Sequence, residues 1–531
     1  MQEFDYIIVG AGSSGCALAS RLSEDPATRV CLIEAGPRGD SMWTRLPLGL
    51  VKLVPAKGPY NWAFETVPQP GLGGRRGFQP RGRGLGGSSL INAMAYTRGH
   101  PADYDEWAAL GNPGWSYAEV LPYFRKSERN ERGEDAFHGG SGPLAIADLR
   151  DANPASLAFV AAAEQAGYAR NTDFSGERQE GFGLYQVNQA NGRRCSAAKA
   201  YLEPAAGRDN LAILVDAHVT RMLLEGGEAV GVALNRGGTS ERLRARREVI
   251  VCAGAFQSPQ LLMLSGIGPG AELQKHGIAV AHDLPGVGHN LQDHPDYTVI
   301  YQSPSAALFG RTPRKLAQIL LAIPRYRFAG RGMLTSNVSE AGGFYCSRPG
   351  LARPDLQAHF VIGLSDEHGR KQHLGIYGMT CHVCVLRPAS RGSVTLGSRD
   401  PLAPPLIDPN FLGADEDVAL MLAGVRATRA IMRQAALDPY RGKELYGEQA
   451  QTDAELTELI RSRADTIYHP VGTCKMGKDA LAVVDHALRV RGLGRLRVVD
   501  ASVMPTLIGG NTNAPAMMIA EKAADMIRRG D

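Results

Sequence analysis

No stretch of the 531 residues approaches the ~20 consecutive apolar residues that a membrane-spanning helix requires. The amino terminus has no basic segment followed by an apolar core, so no secretory signal is read and the cytoplasmic side is the expected location. Eight cysteines, at 16, 31, 195, 252, 346, 381, 384 and 474, are too scattered for a disulfide framework. Only Cys381 and Cys384 lie close together; their segment, Met379 to Leu386, reads as a strand, and no second pair completes a zinc site, so no metal is expected. A net charge of +4 spread over this length does not point to nucleic acid. Disorder is excluded by hydrophobic and charged shares of 44% and 21%, which are those of a soluble globular protein. The length exceeds one simple core and predicts two domains or more.

Glycine, by contrast, is abundant. The 63 glycines exceed the usual ~7% share and predict tight turns and close backbone approaches, as a buried cofactor requires. The first 34 residues show where. An apolar run, Tyr6-Ile7-Ile8-Val9, leads into Gly10-Ala11-Gly12-Ser13-Ser14-Gly15, then a helix, then Val30-Cys31-Leu32-Ile33-Glu34. This is a βαβ unit for a dinucleotide. Gly10 permits the turn, Gly12 lets backbone approach a pyrophosphate, and Gly15 lets the helix pack on the sheet with its N–H groups toward the phosphates. Glu34, 19 residues after Gly15, is placed to accept from the adenosine ribose hydroxyls and to repel a 2′-phosphate, favouring FAD or NAD over NADP. A lone GxGxxG is weak, but strand, glycines, helix, second strand and acid occur here in order.

Further along, Ser41 to Phe64, with prolines 47, 55 and 59 and four aromatic residues, reads as an irregular covering loop. Pro80 to Met94 places glycines 82, 84, 86 and 87 ahead of a helix start, as a backbone lying against a flat ring or a pyrophosphate needs. A helix is predicted over Pro154 to Gly167 and strands over Leu211 to Val219. Arg247 to Gly254 reads as a buried strand that ends in another close approach to the dinucleotide. Strands Leu356 to Ile362 and Met379 to Leu386 fall in a region assigned to substrate binding, where Glu340 and His382 are the polar candidates.

Three stretches carry a resemblance. Gly82-Arg-Gly-Leu-Gly-Gly-Ser-Ser-Leu-Ile-Asn92, Gly254-Ala-Phe-Gln-Ser-Pro-Gln-Leu-Leu-Met-Leu-Ser-Gly-Ile-Gly268 and Gly286-Val-Gly-His-Asn-Leu-Gln-Asp-His294 resemble signatures of the glucose–methanol–choline (GMC) oxidoreductases, in the choline-dehydrogenase-like branch. The likeness runs from Asp5 to Arg529 and is closest to membrane-associated FAD alcohol dehydrogenases acting on aliphatic primary alcohols. It implies an α/β protein, α+β overall. The Rossmann-like FAD-binding domain would span 1–152, 193–296 and 466–531. The discontinuous substrate-binding domain, 153–192 and 297–465, would be built on an antiparallel sheet. Covalent relatives place a histidine where Ile91 stands, so FAD is expected to be non-covalent. The cofactor residues implied are Gly10, Gly12, Ser13, Ser14, Gly15, Glu34, Ala35, Arg83, Leu85, Gly86, Gly87, Ser89, Asn92, Ala93, Met94, Val219, Ala253, Gly254, Asp500, Ala501, Asn511 and Thr512, with Ala93 toward the substrate.

The expected chemistry lies near the carboxyl terminus. The family carries its base in an HPxGT context, here His469 in Tyr468-His-Pro-Val-Gly-Thr473, and a His or Asn partner read here as Asn513 within Gly510-Asn-Thr-Asn-Ala-Pro515. The expected reaction oxidises a primary alcohol, aliphatic or choline-like, to the aldehyde, which needs a proton taken from oxygen as hydride leaves carbon. Electrons would pass to a quinone or other acceptor. The alternatives are an oxidase using oxygen and a non-redox hydroxynitrile lyase, which this family also contains. Pro515 suits the first turn of a closing helix to Arg529 whose N-terminus would face the flavin. Finally, Arg311 to Arg331 holds Arg311, Arg314, Lys315, Arg325, Arg327 and Arg331 without an acidic residue, around Leu316, Ile319, Leu320 and Ile323 at helical spacing. This predicts a basic amphipathic helix making a peripheral contact with the membrane's cytoplasmic face.

Overall fold

The computed structural model describes residues 1–531. Its first sheet has seven strands, ordered Leu211–Leu214, Val30–Ile33, Gln2–Val9, Thr239–Val251, Glu228–Arg236, Ala217–Glu225, with Leu496–Val498 beside the end of Thr239–Val251. The strands around Gln2–Val9 run parallel, whereas Ala217–Glu225 and Glu228–Arg236 fold back as an antiparallel meander. Parallel strands covered on both faces require unbroken apolar runs, which is why Ile7, Ile8, Val249, Ile250 and Val251 have no exposed surface. Helix Ser13–Leu22 follows the glycine turn and packs against the closing helix Asn513–Arg529. Ser14 Oγ donates to Ala516 O at 2.8 Å, and Arg21 Nε meets the fully buried Glu521 at 2.8 Å, so chain ends 500 residues apart are fastened together.

The second sheet is antiparallel throughout, ordered Glu444–Leu445, Pro295–Ser303, Tyr377–Val385, Leu356–Val361, Ser339–Tyr345, Gly181–Leu184, with Asp465–Thr466 beside the start of Pro295–Ser303. Strand alternation sends Ala358 and Phe360 to the helices behind, Pro154–Gln165 and Asp415–Met432, where Phe159 stacks on Phe360 with centroids 4.5 Å apart. The intervening His359 lies directly across from His382, and both face the other side, toward a cavity.

One expectation changes, and one element is new. Ser41 to Phe64 is not irregular throughout: short helical turns occupy Met42–Arg45, Pro47–Gly49 and Leu50–Leu53, the first capped by Ser41 Oγ, which accepts from Trp43 N–H. A small sheet of His289–Leu291, Gly392–Thr395 and Leu406–Asp408 was not foreseen. Leu396, next to it, joins the core of the first sheet.

Candidate active site

A cavity of about 660 Å³ runs from the glycine turn to His359 and His382. At one end Gly10 sits at φ +101°, and a Cβ there would lie 2.5 Å from Cys252 O. Only glycine fits this turn. Gly10, Gly12, Ser13 and Ser14 then line the wall at the start of helix Ser13–Leu22, leaving backbone space suited to a pyrophosphate. Ala35, Val219, Ala253, Gly254, Asp500 and Ala501 continue this wall. Gly87, Asn92, Ala93 and Met94 line it as well; Gly87 approaches so closely that a Cβ added there would be 2.7 Å from Gly12 Cα.

Glu34 lines the cavity but is more committed than the sequence suggests. Its Oε2 accepts from Ala11 N–H, and its Oε1 from Gly36 and Gly84 N–H, each at 2.9 Å. Burial pushes its carboxyl up while these three amides pull it down. A carboxylate offers about four lone-pair sites, so one remains for a ribose hydroxyl, and the residue's first task is to tie three turns together.

Five expected cofactor residues stand behind the wall instead of in it. Gly15 packs on Gly10 O, where a Cβ would lie at 1.9 Å. Arg83 donates to Ala35 O and lies over the Trp62 ring, 4.8 Å from its centroid. Leu85 is buried in the core, Gly86 N–H donates to Ala11 O, and Ser89 Oγ accepts from Ala197 N–H. They shape the cradle without facing it.

At the other end His469 is held from every side. Its backbone N–H donates to Asp293 Oδ1 at 2.8 Å, its Nδ1 is 3.0 Å from His294 Nδ1, and its Nε2 is 3.1 Å from Asn511 Nδ2. Burial, with His294, His359 and Arg81 nearby, keeps the imidazole well below its ordinary pKa, hence neutral. Asp293 moves the other way, pushed up by burial to about 6. The Asn511 amide is oriented by its oxygen, which accepts from Thr97 Oγ1 and from Gln357 Nε2, each at 3.2 Å.

The pairing of His469 with Asn513 is therefore corrected: Asn511 stands beside the imidazole. Helix Asn513–Arg529 begins at Asn513, so that side chain lies on its first turn, where Oδ1 accepts from Ser13 Oγ at 2.7 Å and Nδ2 donates to Asn188 Oδ1 at 3.4 Å. Asn511 precedes the helix and is free to turn toward His469. Thr512 also lines the cavity. Of the two polar candidates in the second sheet, His382 faces the cavity with its Nδ1 2.7 Å from Asp296. Glu340 lies outside it, accepting from Asn153 N–H and Ser156 Oγ, and so is structural.

Sequence reasoning missed Arg81, Arg194 and His294. Arg194 Nη1 donates to Ser89 O, Asn92 O and Asn92 Oδ1, and burial lowers its pKa to about 9. Arg81 lines the cavity and donates to Tyr468 O. His294 ends the third signature stretch, and that position was the available signal.

Two family models, both described as GMC oxidoreductase, match residues 4–296 and 388–520. The chain is 48% identical over 530 residues to an alcohol dehydrogenase (acceptor) of Pseudomonas putida, covering 99% of this chain and 96% of that one. It is 44% identical over 538 residues to mitochondrial choline dehydrogenase of Homo sapiens, covering 99% and 90%. Among solved structures, pyridoxine 4-oxidase from Mesorbium loti superposes with a TM-score of 0.89 at 32% identity, over 99% of both chains. Glycine cradle, histidine-lined cavity and full-length likeness together place this chain in the GMC oxidoreductase family.

Proposed function

We propose that this chain binds FAD non-covalently in the cavity and oxidises an aliphatic primary alcohol to the aldehyde, with 1–152, 193–296 and 466–531 holding the cofactor and 153–192 and 297–465 the substrate. The observation that carries this reading is the juxtaposition of His469 Nε2 and the Asn511 amide on the cavity wall. An alcohol hydroxyl that displaces this direct contact donates to Nε2 and accepts from Nδ2, so one side chain takes the proton while the other holds the oxygen. FAD, when bound, supplies the hydride acceptor at flavin N5. Gly10 to Ser14 would hold its pyrophosphate, Glu34 its ribose, and Gly87 to Met94 its ring. The N-terminus of helix Asn513–Arg529, with Asn513 and Thr512, would favour negative charge beside it.

The cavity walls argue for an uncharged substrate. Their only carboxylates are Glu34 and Asp500, and Asp500 Oδ2 is occupied by Gly254 N–H and Ser258 Oγ. Val338, Val361, Leu364 and Ile467 are apolar lining. A quaternary ammonium would meet no free carboxylate on this lining, because Asp296 lies behind His382 and pairs with its Nδ1. An alcohol panel assayed with oxygen and with a quinone analogue tests this. A medium-chain alcohol should exceed choline in kcat/KM by ~10²-fold or more, and the quinone analogue should outpace oxygen. Preference for choline would overturn the substrate assignment.

Non-covalent attachment is supported by Ile91, a cavity-lining aliphatic side chain with no atom able to bond a flavin. Acid precipitation should release the yellow cofactor into the supernatant. Flavin remaining with the denatured protein would contradict this.

A reversible contact with an anionic membrane on its cytoplasmic face is supported by helix Pro313–Ala329. No helix is long and apolar enough to cross a membrane. Yet Leu316, Leu320, Leu321, Ile323 and Phe328 on this helix are exposed, Leu321 by 79% and Phe328 by 86%. Ile319, expected on the same stripe, turns inward with Ala322 and Tyr326 to anchor the helix on the second core. Lys315 is also buried, its Nζ donating to Ala306 O, and Arg325 pairs with Asp151 at 2.7 Å. The cations left for lipid are chiefly Arg314 and Arg327, beside the apolar face. Arg311, two residues before this helix, lines the cavity. Co-sedimentation with liposomes should require anionic lipid, weaken with salt, and fall when Arg314 and Arg327 become glutamate and Leu321 and Phe328 become serine. Equal sedimentation of the wild type and this quadruple variant would remove the membrane from the account.

A further inference from the structure

We infer that His294 is a positioning residue that fixes the tautomer of His469, so that a bare Nε2 faces the cavity. The inference rests on reading His469 as the base.

One group in this network has no choice of role. The Ile508 carbonyl can only accept, and His294 Nε2 lies 3.1 Å from its oxygen, so that nitrogen bears hydrogen. His294 is fully buried, and burial together with the nearby Arg387 charge lowers its pKa to about 3, so the ring is neutral. A neutral imidazole carries one hydrogen, which leaves His294 Nδ1 as an acceptor. His469 Nδ1 is 3.0 Å away, and two bare nitrogens would repel at that distance, so His469 Nδ1 carries the hydrogen. His469 is itself neutral, and its Nε2 is therefore bare.

The opposite end of the network leads to the same state independently. Thr97 and Gln357 both donate to Asn511 Oδ1, which turns the Asn511 Nδ2 hydrogens toward His469 Nε2. That contact is favourable only if Nε2 is an acceptor. Carbonyl, imidazole, imidazole and amide thus form one directed chain, and each donor has one acceptor.

The chain has a consequence for proton transfer. Without an acceptor at His294 Nδ1, only the Asn511 amide would hold the hydrogen off His469 Nε2, and the form that carries it there cannot take a proton from an alcohol. Once Nε2 has taken the alcohol proton, the imidazolium still donates from Nδ1 to His294, now through a charge-assisted bond. His294 stays neutral and takes up no proton. Its role parallels the acceptor that orients the histidine of a catalytic triad, where the wrong tautomer is costly.

The test compares holoenzymes carrying His294→Leu, His294→Asn and His469→Ala with the wild type. Asparagine places its Oδ1 where His294 has Nδ1 and can accept, whereas leucine fills similar space and cannot. Anaerobic stopped-flow with a primary alcohol gives the limiting rate of flavin reduction and the substrate Kd separately. Heteronuclear NMR of histidine-labelled enzyme reads which His469 nitrogen is bare. Leucine should slow the limiting rate by ~10-fold to ~10³-fold with Kd changed less than ~3-fold, and asparagine should recover most of the loss. The wild-type and asparagine spectra should show a bare Nε2, and the leucine spectrum a mixture. Reduction of the leucine variant at the wild-type rate would overturn the inference, as would asparagine behaving like leucine or a protonated Nε2 in neutral wild-type enzyme. A wild-type rate in His469→Ala would sink the base assignment instead; the tautomer would then be judged on the spectra alone.

Discussion

The His469→Ala holoenzyme should stay yellow yet be reduced by alcohol ~10²-fold to ~10⁴-fold more slowly than the wild type, the range general-base catalysis supplies. Retention of FAD is expected because none of the contacts His469 makes, with Asp293, His294 and Asn511, involves the glycine turn at Gly10. The loss is expected to fall on the limiting rate, because the proton acceptor acts while the C–H bond breaks and contributes little to ground-state binding. Asn511→Ala should follow the same pattern with a smaller loss. Asn513→Ala should instead loosen the cofactor side, since its amide ties the start of the closing helix to Ser13, where the helix after the glycine turn begins, and to Asn188. Stopped-flow reduction separates the three, and a larger kinetic loss in Asn513→Ala than in Asn511→Ala would reverse their assignments.

The second large effect concerns the cradle. Gly10→Ala combines a backbone at φ +101° with a Cβ 2.5 Å from Cys252 O, and neither the turn nor the strand end has room to relax. Left-handed strain in a non-glycine residue costs ~1–3 kcal/mol, and the steric displacement adds to it. The purified variant should be colourless or nearly so, with FAD affinity reduced by ~10²-fold or more. Its flavin-to-protein absorbance ratio measures this directly, and circular dichroism shows whether the sheets remain. A folded variant with a full complement of FAD would mean that the turn does not hold the pyrophosphate.

Much of this was written locally. The βαβ unit is legible because its strand, glycines, helix and second strand are consecutive, and His469 and the closing helix are legible through their prolines and signature context. What stayed hidden depends on contacts between distant segments. Asn511 and Asn513 are two residues apart and chemically identical; only the phase of the helix that starts at Asn513 decides which one meets His469. Glu34 looked free for ribose because the amides of Ala11 and Gly84 reach it from other turns. His294 and His469 are 175 residues apart, and a short β-bridge between Gln292 and Val471 brings them together. On helix Pro313–Ala329 the spacing announced an apolar stripe but not its width. Ile319 and Lys315 face inward, while Leu321 and Phe328, outside the simple pattern, are the most exposed.

Anaerobic mixing of the purified enzyme with a medium-chain primary alcohol tests the central claim most directly. The oxidised-flavin absorbance should disappear with formation of one aldehyde per flavin, and the rate should depend on His469. An unchanged flavin spectrum with every alcohol tried, together with cleavage of a cyanohydrin by the same preparation, would contradict the account and make the site a non-redox lyase.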